Sequence, residues 1–155
     1  MEEKVMSGKE AFNMLGGVDG IRALANCFYD IMEVLPEARK IRDMHPKNLE
    51  STRENLALFV CGWLGGPSLY REKFGAVNLT ELHALLDINV NERDIWLSCM
   101  EKALDKQLTD KDLKKYLLKR FQVPAEKICS YCQQQFLRMP KSEPYLKDNS
   151  KVIKL

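Results

Sequence analysis

Two histidines carry the most specific chemistry in this sequence, because an imidazole can bind a transition metal or move protons near neutral pH. They are His45 and His83. His83 lies on the apolar stripe of a short helical segment, where a neutral ring can offer one nitrogen to a metal while the other donates to a backbone carbonyl. A core histidine satisfied by a carbonyl is the more common reason for such a placement. Spacing alone therefore leaves both interpretations open.

A second reactive pair, Cys129 and Cys132, forms a Cys-x-x-Cys motif. The sequence has no second such motif, no histidine pair beside it and no βαβ pattern around it, and Gln133 follows Cys132. A zinc site, a thioredoxin-like centre and covalent c-type haem attachment are therefore unsupported. Ordinary thiols are the favoured interpretation, and a redox switch on the last helix is the alternative.

The composition is that of an ordinary globular domain, with 155 residues, 45% of them hydrophobic, and a net charge of +2. This balance gives no basic field for nucleic acid. No apolar run approaches the roughly 20 residues of a membrane span, and the acidic, polar N-terminus does not resemble a signal peptide. We expect a cytoplasmic protein with reduced cysteines and with neither nucleic acid nor a membrane as a partner.

Apolar residues recur at spacings of three and four, which predicts an all-α fold. We expect one domain over residues 1–137 and a polar, mobile tail over residues 138–155. The capping residues that we predict are Asp19, Asn91 and Thr109. The first two predicted helices run from about Gly20 to Leu35 and from near Leu49 to the stop at Gly65-Gly66-Pro67. A short third helix lies around Leu79 to Leu86. The fourth begins at Asn91, and the fifth begins at Thr109 and kinks or restarts at Pro124.

An ordered set of residues connects these helices to a known family. The set is Gly16-Gly17, Phe28-Tyr29, Met44-His45-Pro46, Phe59, Gly65-Gly66-Pro67, Tyr70, Leu82-His83, Glu92-Arg93-Asp94 and Trp96. In order and spacing it resembles the truncated haemoglobins of group II, over roughly residues 10 to 105. The resemblance implies a two-over-two helical sandwich around haem b (iron protoporphyrin IX), with His83 as the iron ligand.

The resemblance also implies roles for other side chains. Tyr29 and Trp96 match distal positions whose hydrogen-bond donors favour a ligand with negative charge, dioxygen above carbon monoxide. His45 matches a third distal polar position. Contacts to the haem are implied for Thr52, Leu56, Phe59, Tyr70 and Leu86.

Two departures from the family pattern concern haem anchoring. Leu82 stands where the group usually has an arginine that pairs with a propionate, and Gly75-Ala76-Val77 replaces the usual Gly-His-Pro. Our leading hypothesis is a monomer or weak dimer that binds dioxygen and other diatomic ligands, releases oxygen slowly and is re-reduced by a reductase. The alternatives are a peroxidase-like or nitric oxide detoxifying enzyme that uses the same pocket, and a haem-free helical interaction module.

Overall fold

The computed structural model describes residues 5–138, so the tail predicted to be mobile lies outside it except for its first residue. The described chain is all-helical, as the apolar spacing predicts. None of its helices is long and apolar enough to cross a membrane. The elements are α1 (Gly8–Met14), α2 (Gly17–Val34), a 3-10 turn (Pro36–Ala38), α3 (Arg39–Asp43), α4 (Glu50–Trp63), α5 (Leu69–Phe74), α6 (Leu79–His83), α7 (Val90–Gln107) and α8 (Lys111–Arg138).

The four longest helices pack as two layers. α2 packs against both α4 and α7, and α7 packs against α8. The pair α2 and α4 thus lies over the pair α7 and α8, which is the predicted two-over-two sandwich. Each of these helices turns an apolar face inward, and burial of those faces is the main favourable contribution to folding. The core between the layers includes Ile21, Leu24, Phe28, Leu64, Cys99, Met100, Leu104, Leu113 and Leu117.

The start of α7 corrects one predicted cap. Asn89, not Asn91, is the N-cap, since its side-chain oxygen accepts the N–H of Asn91 at 3.0 Å. The Glu92 carboxylate accepts the N–H of Asn89 in return, at 3.0 Å, which completes a capping box. Either asparagine is a suitable cap by residue type, but only Asn89 has a glutamate three residues later.

Two further predictions about helix ends are wrong. Gly16, with φ of 95°, is the N-cap of α2, and Asp19 lies in the first turn instead. Asp110, not Thr109, caps α8, because its Oδ1 accepts the N–H groups of Asp112 and Leu113. α8 also continues unbroken through Pro124. The proline removes one helical hydrogen bond, and packing of α8 against α7 and α6 compensates for that loss.

The short helix α6 carries His83. Asn78 caps it by accepting the N–H groups of Thr80 and Glu81. It ends at His83, so the two-turn element predicted up to Leu86 is a single turn. Leu82 is 38% exposed and does not share the buried face with His83. Among the helices of residues 5–138, α8 is the one against which α6 packs most extensively.

Candidate functional site

A cavity of about 110 Å³ lies between the layers. It has room for several water molecules, and its wall is mostly apolar, as the walls of small-molecule and cofactor sites are. Residues from α2, α3, α4, α6, α7 and α8 line it. Six of the predicted site residues belong to the wall, and these are Tyr29, His45, Leu56, Phe59, His83 and Trp96.

Three predicted site residues lie outside the cavity wall. Thr52 is buried in α4. Tyr70 stands behind Phe59, with the two ring centroids 5.7 Å apart. Leu86 packs beside Tyr70 in a small second cluster that also contains Leu58. Contact of these three side chains with a haem stays a prediction.

His83 presents its imidazole to the cavity in a defined tautomer. Its Nδ1 lies 2.6 Å from the carbonyl oxygen of Leu79, one turn earlier in α6. Because a carbonyl only accepts, Nδ1 carries the hydrogen, and Nε2 of the neutral ring has the lone pair that a metal requires. Burial lowers the pKa of His83, and the hydrogen bond to Leu79 raises it only in part, which favours the neutral ring. The residue is 8% exposed.

Tyr29 and His45 form one edge of the wall. Their rings meet edge to face, with the centroids 5.5 Å apart. Burial raises the pKa of Tyr29 far above its ordinary value, despite the opposing effect of Arg53, so the phenol stays protonated and able to donate. The Nδ1 of His45 lies 2.7 Å from the carbonyl oxygen of Ile41 and must carry the hydrogen. In the neutral His45 ring, Nε2 is therefore an acceptor. It becomes a donor only when the ring is doubly protonated.

Trp96 is held next to Tyr29 through a shared neighbour. The ring of Phe28 lies 4.9 Å from that of Tyr29 and 5.0 Å from that of Trp96, centroid to centroid. Phe121 of α8 contacts the indole as well, with centroids 5.7 Å apart. An indole nitrogen can only donate. Two donors from different helices, Tyr29 of α2 and Trp96 of α7, therefore pack against the Phe28 ring, and both line the cavity.

A buried carboxylate in the wall was not predicted as a site residue. Glu92 is 3% exposed, and its Oε1 lies 3.0 Å from the Nζ of Lys40. Lys40 also binds Asp87, at 2.9 Å, and so connects α3 to the segment after α6. Burial raises the pKa of Glu92, but hydrogen bonds from the Asn89 N–H and from Lys40 lower it below its usual range. Glu92 is therefore ionised and paired.

Arg93 is the cationic side chain of the described wall. Its guanidinium pairs with the carboxylates of Asp94 at 3.0 Å and Glu126 at 3.6 Å. The Glu-Arg-Asp run was visible in the sequence as part of the resemblance, but spacing alone does not show that Arg93 reaches the cavity.

The two thiols of the Cys-x-x-Cys motif are buried in α8 and are free. Burial, with smaller effects from Cys129 and Asp87, raises the pKa of Cys132 to about 12. Burial likewise raises the pKa of Cys129. Both thiols are thus protonated, and within the described residues no cluster of three or more metal-ligating side chains includes them. The Sγ of Cys132 lies 3.0 Å from the carbonyl oxygen of His83, a contact that no sequence motif signals.

Comparison with known proteins agrees with this architecture. The family model of bacterial-like globins matches residues 10–130. A group 2 truncated hemoglobin of Bacillus subtilis (strain 168) is 28% identical over 109 residues, which cover 70% of this chain and 80% of that protein.

Two solved structures are similar over most of the chain. The first is the cold-adapted truncated hemoglobin of the Antarctic marine bacterium Pseudoalteromonas haloplanktis, with 37% identity, a TM-score of 0.74, and coverage of 76% of this chain and 95% of that one. The second is the group II 2-on-2 hemoglobin of Agrobacterium tumefaciens, with 30% identity, a TM-score of 0.72, and coverage of 83% and 97%.

Proposed function

This chain belongs to the bacterial-like globin family and is a truncated haemoglobin of group II, and from that premise we propose that it binds haem b through His83 and releases dioxygen slowly. The observation that carries the proposal is the neutral imidazole of His83. Its Nδ1–H is fixed by the carbonyl of Leu79, and the imidazole stands in the wall of a mostly apolar cavity.

The wall of the cavity fits a haem in its chemistry. A protein interior is close-packed and rarely holds a void much larger than a water molecule, so a mostly apolar cavity of about 110 Å³ favours an occupant. This disfavours the haem-free interaction module. His83 would hold the iron, while Leu56 and Phe59 would contact the porphyrin. Leu82 stands where the family usually has an arginine that pairs with a haem propionate. Within the described wall of the cavity, Arg93 is the cation that could pair with a propionate instead.

When bound, the haem iron supplies a coordination position for a diatomic gas. The protein's own contribution is then the pair of donors, Tyr29 and Trp96. A phenol O–H and an indole N–H stabilise a ligand that carries partial negative charge, and in a low-dielectric cavity such hydrogen bonds are stronger than in water. His45, whose ring meets that of Tyr29 edge to face, would add a third polar group on the distal side.

The same donors would also stabilise peroxide or a nitric oxide adduct, so a peroxidase-like or nitric oxide detoxifying enzyme remains the second candidate. We further propose a cytoplasmic monomer or weak dimer with a separate reductase. The test is the oxygen dissociation rate, measured beside the steady-state consumption of peroxide and of nitric oxide. Slow release with consumption no faster than that of free haemin supports oxygen binding, whereas faster consumption with rapid release supports the enzyme.

A further inference from the structure

The helix that carries His83 has little support of its own. α6 is five residues long, shorter than the length at which a helix is stable alone. Its outer side is open, since Leu82 is exposed and so is Val77 just before it. Its position in the molecule is therefore set mainly by its packing on α8.

One polar contact between these two helices involves the proposed iron ligand itself. The Sγ of Cys132 lies 3.0 Å from the backbone carbonyl oxygen of His83, and the thiol donates because a carbonyl only accepts. The same oxygen accepts the N–H of Leu86 at 3.0 Å. Cys132 is 2% exposed, so bulk water does not compete with the thiol for this oxygen.

These contacts hold His83 at two places. The ring is fixed in rotation by the carbonyl of Leu79, and the backbone is fixed against α8 by Cys132. We propose that Cys132 is a positioning residue, whose thiol sets where α6 presents the imidazole to the cavity. This inference rests on the proposed iron ligation by His83.

Cys129 supplies a matched control. It lies one turn earlier in α8, is a thiol of equal burial, and among the described residues forms no hydrogen bond with α6. Truncation of either cysteine removes one buried sulfur atom. Only truncation of Cys132 also removes the donor to the carbonyl of His83.

The test compares Cys132→Ala, Cys132→Ser and Cys129→Ala as haem-loaded proteins. The first measurement is the iron–histidine stretching band in the resonance Raman spectrum of the ferrous, unligated form. The second is the rate of haemin transfer to an excess of apomyoglobin. We expect Cys132→Ala to shift or broaden the band and to speed haemin loss roughly 2- to 10-fold, which is the effect of losing one hydrogen bond. Cys129→Ala should leave the band in place, and Cys132→Ser, which keeps a donor, should fall nearer to the unmodified protein.

A third measurement needs no haem. In the haem-free protein, the Leu86 N–H donates to the same His83 carbonyl. Because Cys132→Ala no longer holds that carbonyl against α8, exchange of the Leu86 amide hydrogen with solvent should speed up in this variant and not in Cys129→Ala. An unmodified band and unmodified exchange in Cys132→Ala would overturn the inference, as would equal effects of the two alanine variants. If the unmodified protein itself shows no iron–histidine band, it is the proposed function that fails.

Discussion

Loss of the Tyr29 hydroxyl is the perturbation whose effect the structure defines most sharply. Tyr29→Phe keeps the ring that packs against Phe28 and His45 and removes only the donor. Because Tyr29 is 1% exposed, water does not take the place of the lost hydroxyl. A hydrogen bond to a partly charged ligand is worth about 1 to 3 kcal/mol, so oxygen should leave roughly 5- to 150-fold faster.

The assay is stopped-flow displacement of oxygen by carbon monoxide, which reports the oxygen dissociation rate directly. Trp96→Phe should also speed release within that range. Because both donors pack on Phe28 and act on one ligand, the double variant should differ from the product of the single effects. Tyr116→Phe is the control, since it removes a phenol that binds Arg120 away from the cavity. Unchanged release in both single variants, with haem retained, would refute the donor assignment.

Further predictions concern the support of the cavity. Lys40→Met should lower the free energy of unfolding by about 1 to 2 kcal/mol, because it leaves the buried Glu92 carboxylate without its cation. The exposure of Lys40 limits this loss. Urea denaturation measures it, and Lys47→Met, which changes an exposed lysine, is the control. Because the pKa of Glu92 is lowered by folding, its contribution to stability is complete above pH 4.5 and is lost as the pH falls through the lower folded-state pKa. Glu92→Gln should therefore flatten the acid side of the stability profile, and an unaltered profile would contradict the ion pair. Gly20→Ala should lower the free energy of unfolding by about 3 kcal/mol or more, because a Cβ there would overlap the carbonyl oxygen of Leu15. Gly62→Ala is the control: a Cβ there has no neighbour nearer than 3.4 Å, so the free energy of unfolding should change by no more than about 1 kcal/mol.

The long helices were predictable because each has an apolar face that repeats at helical spacing. α2, α4 and α7 are found where that spacing places them, within a few residues. α1 is short and has few apolar residues, and it was missed although its capping box, Ser7 with Glu10, is a sequence signal. Caps were misplaced where two suitable residues stand close together, as Asn89 and Asn91 do.

The site was less accessible to sequence reasoning than the fold. Periodicity alone does not decide whether His83 is a core residue or a metal ligand. The family resemblance, not the spacing, is what assigns the role of ligand. The contacts that position it were invisible for a simple reason. Cys132 and His83 are 49 residues apart, and Lys40 and Asp87 are 47 apart, so only the packing of helices brings them together.

Iron ligation by His83 is tested by the absorption spectrum of His83→Gly beside that of the unmodified protein, after addition of haemin and reduction with dithionite. The unmodified chain should show a Soret band and a ferrous histidine-ligated spectrum. His83→Gly should lose that spectrum, and free imidazole should restore it. An unaltered histidine-ligated spectrum in His83→Gly would contradict the assignment of the iron ligand, and no Soret band in the unmodified protein would contradict haem binding itself.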